Sequence, residues 1–169
     1  CLIDKWIRQN SKKKYDNRGE IAKSGKINKI ILNQALKNFS YNNSFKSYDI
    51  KNFDTSFVRG LSLEDGAATL TEYTSKILQD HLKMPFNSRN KNILITGGGR
   101  KNKFLLKSIE EKINIPIKLI DDFGIDGDFV ESQAFAYLAI RSYLKLPISF
   151  PETTGCSKPC TGGVLIKNF

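Results

Sequence analysis

Several residue types are scarce in this sequence, and each scarcity excludes a class of site. The 169 residues contain one histidine, one methionine, one tryptophan and three cysteines. Three cysteines are an odd number, and Cys1 lies far in sequence from Cys156 and Cys160, which argues against a disulfide framework. A structural zinc site needs four ligands, so the Cys156-x3-Cys160 spacing and the single His81 predict no metal site.

Long apolar runs are also missing. No run approaches the roughly 18 residues of a membrane-spanning helix, and the start, CLIDKWIRQNSKKK, contains no apolar stretch that resembles a signal peptide. We therefore expect a cytoplasmic protein. The chain begins with cysteine and enters directly into an apolar-periodic segment, so we expect it to be a piece of a longer polypeptide.

Positive charge is abundant. The net charge is +10, which raises nucleic acid as a partner because Lys and Arg release counterions from phosphates. The lysines are spread along the chain, however, and 11–14 is the only tight cluster. With 40% hydrophobic and 26% charged residues, the composition predicts one ordinary globular domain with a sizeable core.

Hydrophobic periodicity predicts helices alternating with short strands. Helices are expected at 2–9, 20–24, 28–39, 62–82, 102–113 and 129–144, strands at 91–95 and 115–121, and a last strand at 163–166 after a loop at 151–163. Ser62 and Asp65 have the spacing of a capping box at the start of the longest helix.

A glycine loop joins the first predicted strand to a helix. The run Thr96-Gly97-Gly98-Gly99 allows backbone to approach a flat or anionic ligand without a clashing Cβ, and the following helix N-terminus offers unpaired N–H groups. The loop is not a P-loop, and Asn102 stands where Gly-x-Gly-x-x-Gly requires glycine. A nucleotide site and a tight turn without a ligand both fit the pattern.

Glu131 lies in the first turn of the helix predicted at 129–144. An acidic residue there either complements the helix dipole or points into a cleft, where it would hydrogen-bond the hydroxyls of a sugar.

Taken in order, these motifs resemble the anhydro-N-acetylmuramic acid kinases over nearly the whole chain. The resemblance rests on Ile95-Thr96-Gly97-Gly98-Gly99-x-x-Asn102, Glu131-x-x-Ala134-Phe135-Ala136-Tyr137-Leu138-Ala139 and Pro151-x-Thr153-Thr154-Gly155. Upstream, it includes Leu2-Ile3-Asp4-x-Trp6, Tyr15-Asp16-x-x-Gly19-x-x-Ala22-x-x-Gly25, Lys46-Ser47 and Glu64-Asp65-x-x-Ala68-Thr69-Leu70-Thr71. Arg100 and Lys101 depart from the family pattern, in which small or polar residues are usual.

The resemblance implies an α/β fold, a ribonuclease-H-like lobe of the sugar kinase, actin and Hsp70 superfamily with a mixed sheet flanked by helices. The chain would be the C-terminal lobe, with mainly helices and loops in 1–60 and a nucleotide-facing α/β core in 61–169. The complete enzyme would use ATP, Mg²⁺ and water to convert 1,6-anhydro-N-acetylmuramic acid to N-acetylmuramic acid 6-phosphate, in the bacterial recycling of cell-wall sugars.

The resemblance also assigns site residues. Thr96, Gly97, Gly98, Gly99 and Asn102 would line the adenosine side of the nucleotide site. Glu131 would reach the sugar, and Asp4 would orient the neighbouring catalytic segment or serve only as a helix surface charge.

No catalytic residue is expected in this chain, because the family's base is an Asp in an Asp-Thr-Gly-Pro-Gly-Asn segment expected directly before Cys1. The first lobe's Gly-Thr-Ser-x-Asp-Gly phosphate loop is absent too, so we expect the chain alone to be inactive. The expected partners are the chain's own N-terminal lobe and a small sugar, without membrane or nucleic acid, and a homodimer is left open. Two alternatives are a stand-alone nucleotide-binding domain without catalysis and a basic nucleic-acid-binding domain.

Overall fold

In the computed structural model, helices surround a short parallel sheet. The structure describes residues 2–39, 53–82, 92–113 and 115–166. The helices of these ranges are α1 (Leu2–Asn10), α2 (Glu20–Ser24), α3 (Lys29–Asn38), α4 (Leu63–Leu82), α5 (Lys103–Glu110), α6 (Val130–Tyr143) and α7 (Pro151–Thr154). The strands β1 (Ile93–Ile95) and β2 (Ile117–Leu119) pair in parallel, with Ile93 opposite Ile117. This arrangement confirms the predicted α/β class.

Helix α4 is the centre on which α1, α2, α3 and α5 pack. Small residues on α4, including Gly66, Ala67 and Ala68, are buried and let the neighbouring helices come close. Trp6 of α1 lies directly against Gly66, and its indole Nε1 donates a hydrogen bond to the Leu63 carbonyl at 2.9 Å. The predicted long helix is therefore confirmed, with an aromatic anchor from α1 over its first turns.

The start of α4 uses the predicted capping residues in an unexpected way. Ser62 Oγ accepts from the Asp65 backbone N–H at 3.1 Å, as an N-cap does. The Asp65 carboxylate accepts from the Lys26 backbone N–H at 2.7 Å, so it ties α4 to the segment that follows α2. Asp65 thus serves a tertiary contact rather than the expected reciprocal box.

Two hydrophobic clusters hold the helices together. The larger lies between α1, α2, α4 and α5, and its buried members are Ile3, Trp6, Ile7, Ala22, Val58, Ala67, Leu70, Leu105, Ile109 and Ile113. The smaller lies between α3 and α4 and comprises Leu32, Ala35, Tyr73 and Ile77. Ile93 and Ile117 pack against the larger cluster, so one face of the sheet joins the core.

The C-terminal part differs most from the sequence prediction. Pro151 begins a one-turn helix within the expected loop, because proline suits the first helical position, and Gly155 ends it in a left-handed conformation. The strand expected at 163–166 is not formed, and an isolated bridge pairs Ser149 with Cys160 instead. No helix in the described ranges combines the length and the apolar character needed to cross a bilayer. The Lys46-Ser47 motif and Cys1 lie outside the described residues.

Candidate nucleotide site

The glycine loop follows the carboxyl end of β1. The Gly97 N–H donates to the Gly127 carbonyl at 3.0 Å, and Thr96 Oγ1 donates to the same oxygen at 3.2 Å. Gly97 has a φ of +75°, which only glycine adopts readily. A single 3₁₀ turn then spans Gly98–Lys101. The loop after β1 is therefore held against the loop after β2, at the sheet edge where open α/β sheets bind ligands.

One side of the glycine loop is open. A Cβ built on Gly98 or Gly99 meets no atom within 4 Å, so a ligand has direct access to this backbone. Asn102 caps α5 by accepting from the Leu105 N–H at 2.9 Å. The loop therefore leads into a capped helix whose N-terminal dipole favours a negative ligand group.

The upstream segment Tyr15–Gly19 packs against the end of the glycine loop, at Asn102 and Phe104. Gly19 has a φ of +79°, and a Cβ there would collide with the Asn102 side chain and with Phe104. The buried carboxylate of Asp16 holds the backbone around Gly19 in place by accepting hydrogen bonds from the N–H groups of Ile21 and Ala22, each at 2.9 Å. Two segments that are distant in sequence, Tyr15–Gly19 and Thr96–Asn102, thus form one structural unit.

Arg100 links the two loops and is the feature that sequence reasoning missed. Its buried guanidinium donates to Asp121 through Nε at 2.7 Å, to Asp128 through Nη1 at 2.6 Å and to the Gly97 carbonyl at 3.1 Å. Gly127 lies so close that any Cβ there would strike the Arg100 side chain. We call Arg100, Asp121 and Asp128 the arginine clamp. The residue that departs from the family pattern therefore fixes the glycine loop to the loop after β2.

The arginine clamp changes the acidity of its members. Hydrogen bonds from Arg100 and then Lys101 lower the pKa of Asp128 from its usual 3.8 to about 2. Arg100 also lowers the pKa of Asp121, and Asp121 in turn raises the pKa of Arg100. Because both carboxylates stay ionised, the clamp is closed at neutral pH.

The arginine clamp should open only in strong acid. The pKa of Asp128 is lower in the folded state than in the unfolded chain, so its ionised carboxylate stabilises the fold. This stabilisation is complete above pH 3.8, the usual pKa, and is lost as the pH falls toward 2. An NMR titration of the Asp128 carboxyl carbon should therefore give a midpoint near pH 2, and Arg100→Met should move the midpoint back toward 3.8. A midpoint near 3.8 in the unchanged chain would contradict the clamp.

The two predicted sugar-side residues lie on different helices. Glu131 is exposed in the first turn of α6, four residues after Gly127, which places it on the segment that leaves the glycine-loop region. Asp4 lies half-buried in the first turn of α1, and α1 packs on α4. The structure thus puts Glu131 on α6 and Asp4 on α1. The loop between β1 and α5 holds the five predicted nucleotide-site residues, Thr96, Gly97, Gly98, Gly99 and Asn102.

Neither cysteine in the described residues is part of a disulfide, since Cys156 and Cys160 carry free thiols. Within 2–39, 53–82, 92–113 and 115–166, no three His, Cys, Asp or Glu side chains are grouped to hold a metal ion.

The family model and the relatives described below all carry the same family name. The family model described as anhydro-N-acetylmuramic acid kinase matches residues 1–168. A protein of that name from Pelagibacter ubique (strain HTCC1062) is 51% identical over 176 residues, covering all of this chain and 47% of the relative. Those from Zymomonas mobilis and Rhizorhabdus wittichii are 37% and 39% identical over 96% of this chain, covering 44% and 45% of their own lengths. The chain spans about half the length of the curated relatives it matches.

Proposed function

Because this chain belongs to the anhydro-N-acetylmuramic acid kinase family, we propose that it is the C-terminal lobe of such a kinase and carries the adenosine side of its ATP site. The complete enzyme would combine 1,6-anhydro-N-acetylmuramic acid, ATP and water to give N-acetylmuramic acid 6-phosphate and ADP in the cytoplasm. The observation that carries the proposal is the open glycine loop at the end of β1, in a chain that the family model matches over 1–168.

The proposed ATP contacts use the backbone of the glycine loop. Gly98 and Gly99 have open space beside them, so an adenosine group can lie on this backbone without displacing a side chain. Thr96 and Gly97 already donate hydrogen bonds to the Gly127 carbonyl, and the Asn102 side chain already caps α5. These three residues would therefore shape the loop, while Gly98 and Gly99 would face the nucleotide.

Mg²⁺ enters the proposal only as the ion that accompanies ATP. The described residues hold no group of three acidic, His or Cys side chains, and the carboxylates nearest the glycine loop, Asp121 and Asp128, are engaged by Arg100. No residue of the described ranges is therefore assigned to bind the ion.

Glu131 is proposed to contact sugar hydroxyls. Its exposed carboxylate is a hydrogen-bond acceptor, and it follows Gly127, which contacts the glycine loop, by four residues. This proximity supports a sugar site beside the nucleotide site. Asp4 is proposed to support the catalytic segment that precedes it in the complete protein.

The proposed fold is one ribonuclease-H-like lobe, with mainly helices and loops in 1–60 and the nucleotide-facing core in 61–169. Support comes from the parallel pair β1 and β2, which is too small to stand as an independent sheet. The remaining strands and the catalytic Asp would come from the segment that precedes Cys1 in the complete protein, and the phosphate loop would come from the N-terminal lobe.

The test is to read the coding DNA upstream of Cys1, express the complete protein and assay it with ATP, Mg²⁺ and 1,6-anhydro-N-acetylmuramic acid. We expect a product that has gained one phosphoryl group and one water. The 169-residue chain alone should give no product, because general-base activation of water and a complete phosphate site are both required.

The negative outcomes of this assay are also informative. ATP binding by the complete protein without any sugar phosphorylation would favour a nucleotide-binding domain that has lost catalysis. Phosphorylation of the sugar by the 169-residue chain alone would overturn the assignment of the catalytic base to the segment before Cys1.

A further inference from the structure

Helix α6 has the sequence of a buried helix. From Ser132 to Ile140 it contains no charged residue, and apolar side chains occupy every side of it. A helix that is apolar all round belongs inside a protein, since a surface helix carries a polar face. Yet in the described part of the chain none of its residues is buried, and Phe135, Ile140 and Tyr143 are 71%, 60% and 69% exposed.

One side of α6 forms an open apolar groove. Phe135, Leu138, Ala139 and Tyr143 recur at the helical spacing of a single face and line a hollow of about 710 Å³. Val164 and Leu165 form the opposite wall, and Ser142 Oγ anchors it by donating to the Gly162 carbonyl. A contiguous apolar surface of this kind marks an interaction site.

One face of the sheet is also uncovered. Ile93 and Ile117 face the core, whereas Leu94 points to the other side and is 47% exposed. Parallel strands are normally covered on both faces, and apolar residues on both sides of β1 fit that rule. The uncovered side of β1 and the uncovered helix α6 therefore both indicate a missing layer.

We propose that α6 and its groove are the docking surface for the part of the kinase polypeptide that lies outside this chain. This inference rests on the proposed function and locates the contact between the two parts. The length of the relatives indicates that this part is large enough to cover the surface, because this chain covers only 44–47% of their length.

A second copy of the chain fits the surface less well. A two-fold dimer buries one patch on each subunit, whereas α6 exposes apolar side chains on opposite sides, such as Phe135 and Ile140. A covalently linked segment also has an effective concentration in the millimolar range, which a separate molecule lacks.

The test compares hydroxyl-radical labelling of the 169-residue chain with that of the complete protein. Labelling of Phe135 and Tyr143 should fall at least about fivefold in the complete protein, as expected when exposed side chains become buried. Ile30, an 81% exposed side chain on α3, should be labelled equally in both. Equal labelling of Phe135 in both proteins would overturn the proposal. Protection in the isolated chain that rises with its concentration would show that a second copy is the occupant.

Matched variants give a second measurement. Phe135→Ser and Ile30→Ser should both leave the melting temperature of the isolated chain nearly unchanged, because both side chains are exposed there. In the complete protein Phe135→Ser should lower the melting temperature clearly more than Ile30→Ser, and equal shifts would contradict the proposal. Labelling does not depend on catalysis, so protection of α6 in a protein without kinase activity would refute the proposed function while leaving this surface in place.

Discussion

Replacing Gly98 by valine in the complete protein should raise the KM for ATP at least about tenfold, the factor that corresponds to roughly 1.4 kcal/mol. The added side chain would occupy the open space beside the loop, where nothing lies within 4 Å of a built Cβ. Because Gly98 does not have a positive φ, the substitution should leave the thermal stability nearly unchanged. Initial rates at varied ATP, with melting curves for each variant, measure both effects.

A graded series separates the steric effect from loop strain. Gly98→Ala should raise the KM less than Gly98→Val, since it fills less of the open space. Gly97→Ala is the control for conformation: the φ of +75° at Gly97 makes a side chain unfavourable, so this variant should lose roughly 1 kcal/mol of stability. If Gly98→Val left the KM for ATP unchanged, the glycine loop would not line the nucleotide site.

Local signals predicted most of the elements around the site. The helix α4 and the cap at Ser62 follow from apolar periodicity and a side-chain acceptor, which act within a few residues of each other. The end of α2 at Gly25 follows from glycine as a helix terminator. The order of β1, glycine loop and α5 is likewise encoded locally, and the structure confirms it.

The contacts that assemble the site were not predictable in the same way. Arg100 was seen only as a departure from a motif, because its partners Asp121 and Asp128 lie more than twenty residues away. The sequence does hold a signal, since the basic pair at 100–101 follows the first predicted strand and the acidic loop at 121–128 follows the second. Using that signal requires knowing that the two strands are adjacent and parallel, which is a property of the tertiary structure.

The solvent exposure of α6 was not predictable from the sequence for a different reason. Its boundaries at Val130–Tyr143 agree closely with the predicted helix at 129–144, because periodicity determines a helix whether or not it is covered. Burial depends on what packs against the helix, and this chain spans only about half the length of its relatives. Secondary structure was therefore predictable here where solvent exposure was not.

Substituting Gly66 by alanine should destabilise this chain by about 1–3 kcal/mol, although the same change in an ordinary helix interior gains roughly 1 kcal/mol. The reason is the Trp6 indole, which lies against Gly66 so closely that a Cβ would overlap the ring. Trp6 cannot move away freely, because it is buried and its Nε1 is bonded to the Leu63 carbonyl. Urea unfolding followed by circular dichroism measures the loss.

The sign of the Gly66 effect should reverse when the ring is removed. In a Trp6→Leu background, which is itself destabilised by the lost packing and hydrogen bond, Gly66→Ala should be neutral or stabilising, since the alanine methyl then enters vacated space and restricts the unfolded chain. Gly98→Ala, at an open position, is the control and should change stability little in either background. A destabilisation by Gly66→Ala that persists at full size without Trp6 would show that the contact between α1 and α4 does not require glycine, and that another neighbour of residue 66 sets the spacing of these helices.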